Sequence, residues 1–70
     1  MEMNNEFVEY CMEQFSEILT WGGEINEKDM SFEVDGNGKL LTFTDFKNHK
    51  QIRARNIIEM ENKLIAQYGN

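Results

Sequence analysis

The sequence is poor in the residues on which enzymes and metal sites depend. Its 70 residues include no proline, one cysteine (Cys11) and one histidine (His49). A Cys–His nucleophile pair needs an orienting third group and a cleft to work in. A zinc site needs three or four ligands, and one cysteine with one histidine does not supply them. We therefore expect a protein that is not an enzyme, with no metal site and no cofactor.

Long apolar runs and disulfide partners are also missing. No run approaches the ~20 apolar residues that cross a bilayer, and the opening Met-Glu-Met-Asn-Asn-Glu lacks the apolar region of a signal peptide. A lone thiol suits a reducing compartment. We expect a cytoplasmic protein that does not bind membranes. Plentiful Asn, Lys, Ile and Phe without proline is a composition common in AT-rich bacterial and phage genomes.

Charge is unevenly distributed along the chain. The net charge is −6. Residues 1–35 contain ten acidic residues and one basic residue, whereas residues 36–70 contain six basic and three acidic residues. The two halves should therefore attract each other, either within one chain or between two chains.

The first segment has the pattern of an amphipathic helix over about residues 4–21. At about 100° per residue, one face is apolar, and Gly22 is the expected left-handed residue that ends the helix. The opposite side has a regular row of carboxylates. The predicted apolar face consists of Phe7, Val8, Cys11, Met12, Phe15, Ile18 and Leu19.

A β-hairpin is predicted over about residues 30–44. A two-residue type I′ turn at Asn37-Gly38 would pair Phe32 with Phe43 and Val34 with Leu41. These apolar pairs would share one face of the hairpin and stabilise it. Moving the turn by one residue would mix apolar and polar residues on both faces.

The start of the same segment, Glu33 to Leu40, resembles the first eight positions of an EF-hand calcium loop. The resemblance implies oxygen ligands at alternate positions and a glycine at the sixth. The first position is Glu33 where the family has Asp, and the twelfth is Thr44 where the family has a bidentate Glu. The preceding residues alternate as a strand does, and a hairpin turn without a metal is the interpretation we prefer.

The last segment is predicted to form one long helix over about residues 45–68. Asp45 would cap its positive end, and Gly69 would follow its last turn. Together the elements predict an α+β fold in the order α-β-β-α, a single small domain spanning residues 1–70. Two amphipathic helices would pack on one face of a two-stranded antiparallel hairpin. Because such a hairpin has two open edges, dimerisation is expected to complete the core.

A dimer interface is predicted on the last helix. The apolar side chains of this helix form a wide arc that consists of Phe46, Ala54, Ile57, Ile58, Leu64, Ile65 and Tyr68. Glu61 would project into the middle of the arc and Arg53 would lie at its edge, with Ile57 midway between them and Leu64 beyond. A lone charge in such a place is costly unless it is paired. Two copies crossing antiparallel at Ile57 would pair Arg53 with Glu61 of the other chain twice, as a two-fold interface requires. The alternative is that Glu61 extends into solvent at the rim.

The most plausible functional surface lies on the first helix. Regularly spaced carboxylates there could be a solvated face, a docking surface for a basic partner, or a mimic of nucleic-acid phosphates. Trp21 lies at the flank of the apolar face, where it could be either a core residue or exposed, and an exposed Trp is a frequent hot spot. The predicted partner-binding residues are Glu6, Glu9, Glu13, Glu17 and Trp21.

The sequence therefore predicts a small acidic interaction protein that binds a protein partner, which is basic or itself binds DNA. It would regulate or inhibit that partner, as some proteins of phages and mobile elements do. One alternative is a nucleic-acid-binding regulator that uses the basic start of the second helix. Another is a structural protein that associates only with itself. The nucleic-acid alternative would use Lys47, Lys50, Arg53 and Arg55.

Overall fold

The computed structural model describes residues 5–35 and 37–68. Its elements, in chain order, are α1 (Asn5–Trp21), β1 (Glu24–Asn26), β2 (Met30–Val34), β3 (Leu41–Asp45), β4 (Lys50–Ala54) and α2 (Ile57–Tyr68). The strands form one antiparallel sheet in the order β1-β2-β3-β4. The α+β class is confirmed. The α-β-β-α order is wrong, because two further strands flank the predicted hairpin.

The predicted hairpin is present as β2 and β3. Phe32 pairs with Phe43 and Val34 pairs with Leu41, so the register matches the prediction. The apolar alternation of both strands requires this register, because a shift of one residue would move every buried side chain to the other face.

The turn between β2 and β3 differs from the predicted type I′ turn. The Gly38 N–H donates to the Asp35 carbonyl at 2.9 Å, and the Asp35 N–H donates to the Leu40 carbonyl at 3.0 Å. Gly38 has a positive φ of 70°, but its bond to Asp35 closes a four-residue turn one position earlier than a type I′ turn at Asn37-Gly38 would. The Asp35 carboxylate explains the change, because its Oδ1 accepts the N–H groups of Asn37 and Lys39 at 3.2 and 2.8 Å. Gly36, which the type I′ turn would pair with Lys39, lies outside the described residues.

The long second helix is the largest error of the sequence prediction. Residues 46–49 form a turn and Lys50–Ala54 form β4, so that α2 begins only at Ile57. Asp45 ends β3 and does not cap a helix. The turn contains neither Gly nor Pro, and His49 takes the positive φ of 58° that a Gly often provides. A two-stranded hairpin is marginal alone, and β4 adds a third strand that shields β3.

The first strand, β1, lies in the segment after Gly22. Gly22 ends α1 as predicted, with a φ of 85° and its N–H donating to the Ile18 carbonyl at 2.6 Å. Three residues then pair with β2, and Ile25 lies opposite Phe32. This pairing gives the sheet its fourth strand and places Ile25 against the core.

A cap that the sequence analysis missed fixes the start of α2. Asn56 Oδ1 accepts the N–H of Glu59 at 2.8 Å, and the Glu59 carboxylate accepts the N–H of Arg55 at 3.2 Å. An Asn followed three residues later by Glu is a known signature of a helix start. It stops the helix from extending back into β4.

Both helices cover one face of the sheet. Buried residues of α1 and α2 meet the inward-facing residues of β2, β3 and β4 in a single core. Within the described ranges, neither helix is long and apolar enough to span a membrane. The fully buried side chains of largest volume are Phe15, Phe32, Phe43, Leu41, Met60, Leu64 and Cys11.

The other face of the sheet carries polar side chains, as expected for an antiparallel sheet exposed on one side. One row across the four strands runs Glu24, Glu33, Thr42 and Arg53. The acidic end of this row lies at β1, whereas its basic end lies at β4. The positive charge of this row therefore lies on the edge strand β4.

Candidate protein-docking surface

The predicted carboxylates of α1 lie on its outer surface. The buried residues Val8, Cys11, Phe15 and Ile18 fix which side of α1 faces the sheet. The carboxylates fall on the opposite side, at spacings of three and four residues that make them neighbours. All four are exposed: Glu6, Glu9, Glu13 and Glu17.

Trp21 continues this row as an exposed aromatic side chain. It follows Glu17 by four residues, one helical turn further along α1, and it is 80% exposed. The sequence left its burial undecided. The structure places it outside because the helix ends at Gly22 and the chain turns toward β1. An exposed Trp beside carboxylates combines a large apolar surface with a charge of one sign.

Leu19, which was predicted to lie in the core, is instead 46% exposed. It sits on the last turn of α1, near the β2–β3 turn, where a Cβ on Gly38 would lie 3.8 Å from Leu19 Cδ2. Ile18 is the last residue of α1 in the core, since Leu19 and Trp21 are both exposed. Leu19 therefore adds apolar area at the Trp21 end of the helix.

Ion pairs between described residues do not account for the predicted attraction between the two halves of the chain. In the part of the chain that the structure describes, the only salt bridge joins Lys63 to Glu59 at 3.2 Å within α2. The carboxylates of α1 and the basic residues around β4 are exposed. Both sets of charge are thus available to other molecules.

A cleft of about 520 Å³ opens at the other end of the molecule. Phe7 and Tyr68 form its aromatic wall, with their ring centroids 5.0 Å apart. At its base, Asp45 is only 5% exposed and accepts the Tyr68 hydroxyl at 2.7 Å. Asn48 donates to the same carboxylate from its main-chain N–H and from its side chain, at 3.1 and 2.9 Å.

The pKa values in this cleft follow from burial and hydrogen bonding. Burial pushes the Asp45 pKa upward, but the donors Tyr68, Asn48 and the main-chain N–H of Lys47 outweigh it and hold the pKa below its usual value. Burial, and next the bond to Asp45, raise the Tyr68 pKa. The Asp45 carboxylate is therefore charged and already hydrogen-bonded, so it is better suited to linking parts of the fold than to donating a proton.

A second side-chain hydrogen bond, between Tyr10 and Glu27, links α1 to the loop after β1. The Tyr10 hydroxyl donates to Glu27 Oε2. This bond, more than burial, raises the Tyr10 pKa to about 12. It anchors the side of α1 that adjoins the carboxylate row.

The single Cys and the single His lie in contrasting environments. Cys11 is fully buried in the core, and burial raises the pKa of its thiol to about 12. His49 is exposed in the turn before β4. A thiol with so high a pKa is protonated at neutral pH and is a poor nucleophile.

The proposed nucleic-acid residues do not form one surface. Lys50 lies over the Tyr68 ring, with Nζ 5.2 Å from the centroid, whereas Arg53 belongs to the polar row on the opposite face of the sheet. Lys47 is in the turn before β4, and Arg55 is in the loop before α2. Their predicted placement at the start of a helix is wrong.

The predicted geometry of the dimer interface is also wrong. Arg53 belongs to β4 and Glu61 to α2, so no single helix carries both with Ile57 midway. Leu64 is completely buried and cannot contact a partner. Glu61 is exposed, which agrees with the alternative that it extends into solvent.

The residues of the cleft were not identified from the sequence. Asp45 was interpreted as a helix cap, and Tyr68 as part of an apolar arc. The alternation Ile52, Arg53, Ala54 was the available signal for β4, and it would have placed Asp45 in the preceding strand.

Among the described residues, no group of three or more His, Cys, Asp or Glu side chains is placed to hold a metal ion. The EF-hand-like segment joins two strands, whereas an EF-hand loop joins two helices. No protein family, curated protein or solved structure was found to match the chain.

Proposed function

We propose that the protein binds a basic surface of another protein through the outer face of α1, with Trp21 as the central contact. It would act as a regulator or inhibitor by covering that surface. The observation that carries the proposal is the 80% exposure of Trp21 at the end of a row of four exposed carboxylates.

The exposure of Trp21 supports a binding role because it is unfavourable for the isolated chain. A large apolar side chain left in water forgoes the stabilisation that burial would give, of the order of 25 cal/mol per Å². Trp is also among the residues that most often dominate interface energies. Leu19 adds apolar area at the same end of α1.

The carboxylate row supports a positively charged partner. Like charges four residues apart, such as Glu9–Glu13 and Glu13–Glu17, weaken a helix by a few tenths of a kcal/mol per pair. A cationic partner would relieve this repulsion and would be attracted over a distance of about 10 Å at moderate ionic strength. The same charge repels nucleic acid, so a DNA-binding protein fits as a partner better than DNA does.

Site-specific photocrosslinking would test this proposal. A photoreactive amino acid in place of Trp21 should capture a partner in cells of the source organism, whereas the same probe at Glu33, on the polar face of the sheet, should not. Mass spectrometry then identifies the captured protein. Equal capture from both positions, or none from position 21, would contradict the proposal.

A charge-matched pair of variants would test the carboxylates separately. Glu9→Gln with Glu13→Gln should weaken binding of the purified partner, and the loss should be smaller at high salt. Glu24→Gln with Glu33→Gln removes the same charge from β1 and β2 and should leave the affinity unchanged. Equal effects would show that net charge alone matters.

A second candidate function is self-association through α2. Ile58 is 67% exposed and Ile65 is 43% exposed, and they lie on one face of α2 with Glu61 between them. A two-fold contact would bury both. Sedimentation should show a dimer that Ile58→Ser dissociates; a wild-type monomer at all accessible concentrations would exclude it.

A further inference from the structure

The free edge of β4 borders a groove that nothing above accounts for. The sheet ends at β4, and α2 runs alongside it. Between them lies a groove of about 330 Å³. Its lining residues are Gln51, Ile52, Arg53, Lys63, Ala66 and Gln67.

The main chain of β4 is accessible from this groove. Lys63 Nζ, from α2, donates to the Arg53 carbonyl at 2.7 Å. A group from outside the sheet thus already occupies a main-chain acceptor on the outer edge of β4. The Lys63 side chain is 47% exposed and also contacts Glu59, so it can leave the carbonyl without breaking the core.

Positive charge is concentrated around this edge. Five of the seven Lys and Arg residues of the chain lie on β4, in the segments on either side of it, or on the facing side of α2, although the protein as a whole has a net charge of −6. All five are exposed: Lys47, Lys50, Arg53, Arg55 and Lys63.

We infer that the groove between β4 and α2 binds an extended acidic segment of another protein, which adds to the sheet as a fifth strand. The segment would exchange main-chain hydrogen bonds with β4, as in other cases where a peptide joins a sheet edge. The N–H of the segment would replace Lys63 at the Arg53 carbonyl, which frees the ammonium group of Lys63 to pair with a carboxylate.

The two sides of the added strand would meet different surroundings. Because side chains alternate along a strand, every second one would face outward beside Arg53, where a carboxylate fits. The others would enter the groove, where the side chain of Ala66 leaves room for a small apolar residue. The expected segment therefore alternates acidic and small apolar residues.

An extended peptide fits this edge better than nucleic acid does. Lys50 and Arg53 project to opposite faces of the sheet, so one phosphate backbone lying on a surface would not reach both. A strand in the plane of the sheet has side chains on both faces and can reach both. Its backbone would also satisfy the free edge of β4, which phosphates cannot do in the same way.

The test uses the isotope-labelled full-length chain and a capped peptide of about nine alternating Glu and Val residues, long enough to span β4 at ~3.3 Å per residue. NMR shifts should concentrate on Lys50–Ala54 and on the facing side of α2. Amide protons of β4 should exchange more slowly in the complex. A peptide methylated at the alternate main-chain nitrogens that would face β4 should not bind, since it cannot pair with β4.

Matched charge reversals provide the control. Arg53→Glu should weaken peptide binding about tenfold, as expected for a charge pair at the rim of an interface. Lys28→Glu makes the same charge change in the turn between β1 and β2 and should leave the affinity unchanged. Thermal melts would show that both variants are folded.

Three results would overturn the inference. The methylated peptide could bind as tightly as the unmodified one, which would mean that charge alone attracts it. A single-stranded oligonucleotide could displace the peptide and produce the same shifts, which would indicate a nucleic-acid surface. The third is that no NMR signal of β4 shifts at millimolar concentrations of the peptide.

Discussion

Tyr68, on the last turn of α2, donates its hydroxyl hydrogen bond to Asp45, the last residue of β3, at 2.7 Å. The bond connects two elements that are 23 residues apart in sequence. The Tyr68 ring also packs near Phe7 and Phe43, with centroid distances of 5.0 and 6.0 Å. One side chain thereby joins both helices to the sheet.

Removing this hydroxyl should destabilise the fold without disturbing its packing. Tyr68→Phe keeps the ring but leaves the buried Asp45 carboxylate with one donor fewer. Loss of a hydrogen bond to a charged group costs roughly 2 kcal/mol. Chemical denaturation should show a lower midpoint with an unchanged slope. No change in midpoint would mean that water replaces the hydroxyl at no cost.

Acid should destabilise the protein through three carboxyl groups with lowered pKa values. Main-chain N–H donors lower the Asp35 pKa, and the N–H of Lys39 has the largest effect. The main-chain N–H of Arg55, and next the side chain of Lys63, lower the Glu59 pKa. In Asp45, donors outweigh the opposing effect of burial. Because each folded pKa lies below its unfolded value, the unfolded chain takes up protons first.

The stability from these groups is fully present above their unfolded pKa values of 3.8 and 4.5. It is lost as pH falls through the folded values. Carboxyl carbon NMR titration should place the Asp45 midpoint below 3.8. A midpoint above that value would contradict the balance of effects described for Asp45.

Alkaline solution should destabilise the protein by the opposite route. Burial raises the pKa values of Cys11 and Tyr68, and the Glu27 bond raises that of Tyr10. Since these folded values exceed the unfolded ones, stability is fully present below the unfolded pKa of 9.0 for Cys and 10.0 for Tyr. It falls as pH rises through the folded values.

Ultraviolet absorbance can follow the tyrosines directly. Tyrosinate should appear at higher pH in the folded protein than in urea, and its appearance should coincide with loss of helical circular dichroism. Tyrosines that titrate near pH 10.0 while the fold persists would show that neither hydroxyl is held as described.

Asn56 should be required for the correct start of α2. Asn56→Ala removes the acceptor for the Glu59 N–H and should cost about 1 kcal/mol, as losses of helix caps typically do. Asn56→Asp retains an acceptor at the same position and should be close to wild type. Thermal denaturation of the pair checks this, and equal losses in both variants would exclude the cap.

The exposed Trp21 and the buried Phe15 should respond differently to truncation. Trp21→Ala should change the free energy of unfolding by no more than about 0.5 kcal/mol, as surface substitutions usually do. Phe15→Ala leaves a cavity in the core and should cost roughly 3–5 kcal/mol. A large loss from Trp21→Ala would show that Trp21 packs against the fold, and would remove the main support for the docking surface.

Local sequence patterns were sufficient to predict an element where the sequence contains both a hydrophobic period and a residue that ends the element. The first helix has an apolar face every three to four residues, and its end at Gly22 was predicted correctly. The β2–β3 register followed from the alternation of apolar residues on both strands. In both cases neighbouring residues supply the constraint, so no distant contact is needed.

The segment from Asp45 to Arg55 could not be interpreted correctly in this way. It contains neither Gly nor Pro, and its apolar residues Phe46 and Ala54 fit a helical period when they are counted together with Ile57. The structure instead leaves Phe46 exposed and buries Ile52 and Ala54 on alternate positions of β4. Strand β4 exists because β3 has an edge that needs hydrogen bonds, which is a condition set by residues elsewhere in the chain.

The candidate surfaces divide in the same way. The carboxylate row was predicted from the sequence alone, because helical periodicity places those residues on the side opposite the core. Tertiary structure decided the exposure of Trp21, the Asp45–Tyr68 bond and the basic edge of β4, since each depends on which elements pack together. The sequence determined the faces of α1 and the register of β2 with β3, because near neighbours fix both. Only the tertiary structure decided how many strands the sheet has and which charges lie at its edge, because strand pairing satisfies backbone groups across long distances in sequence.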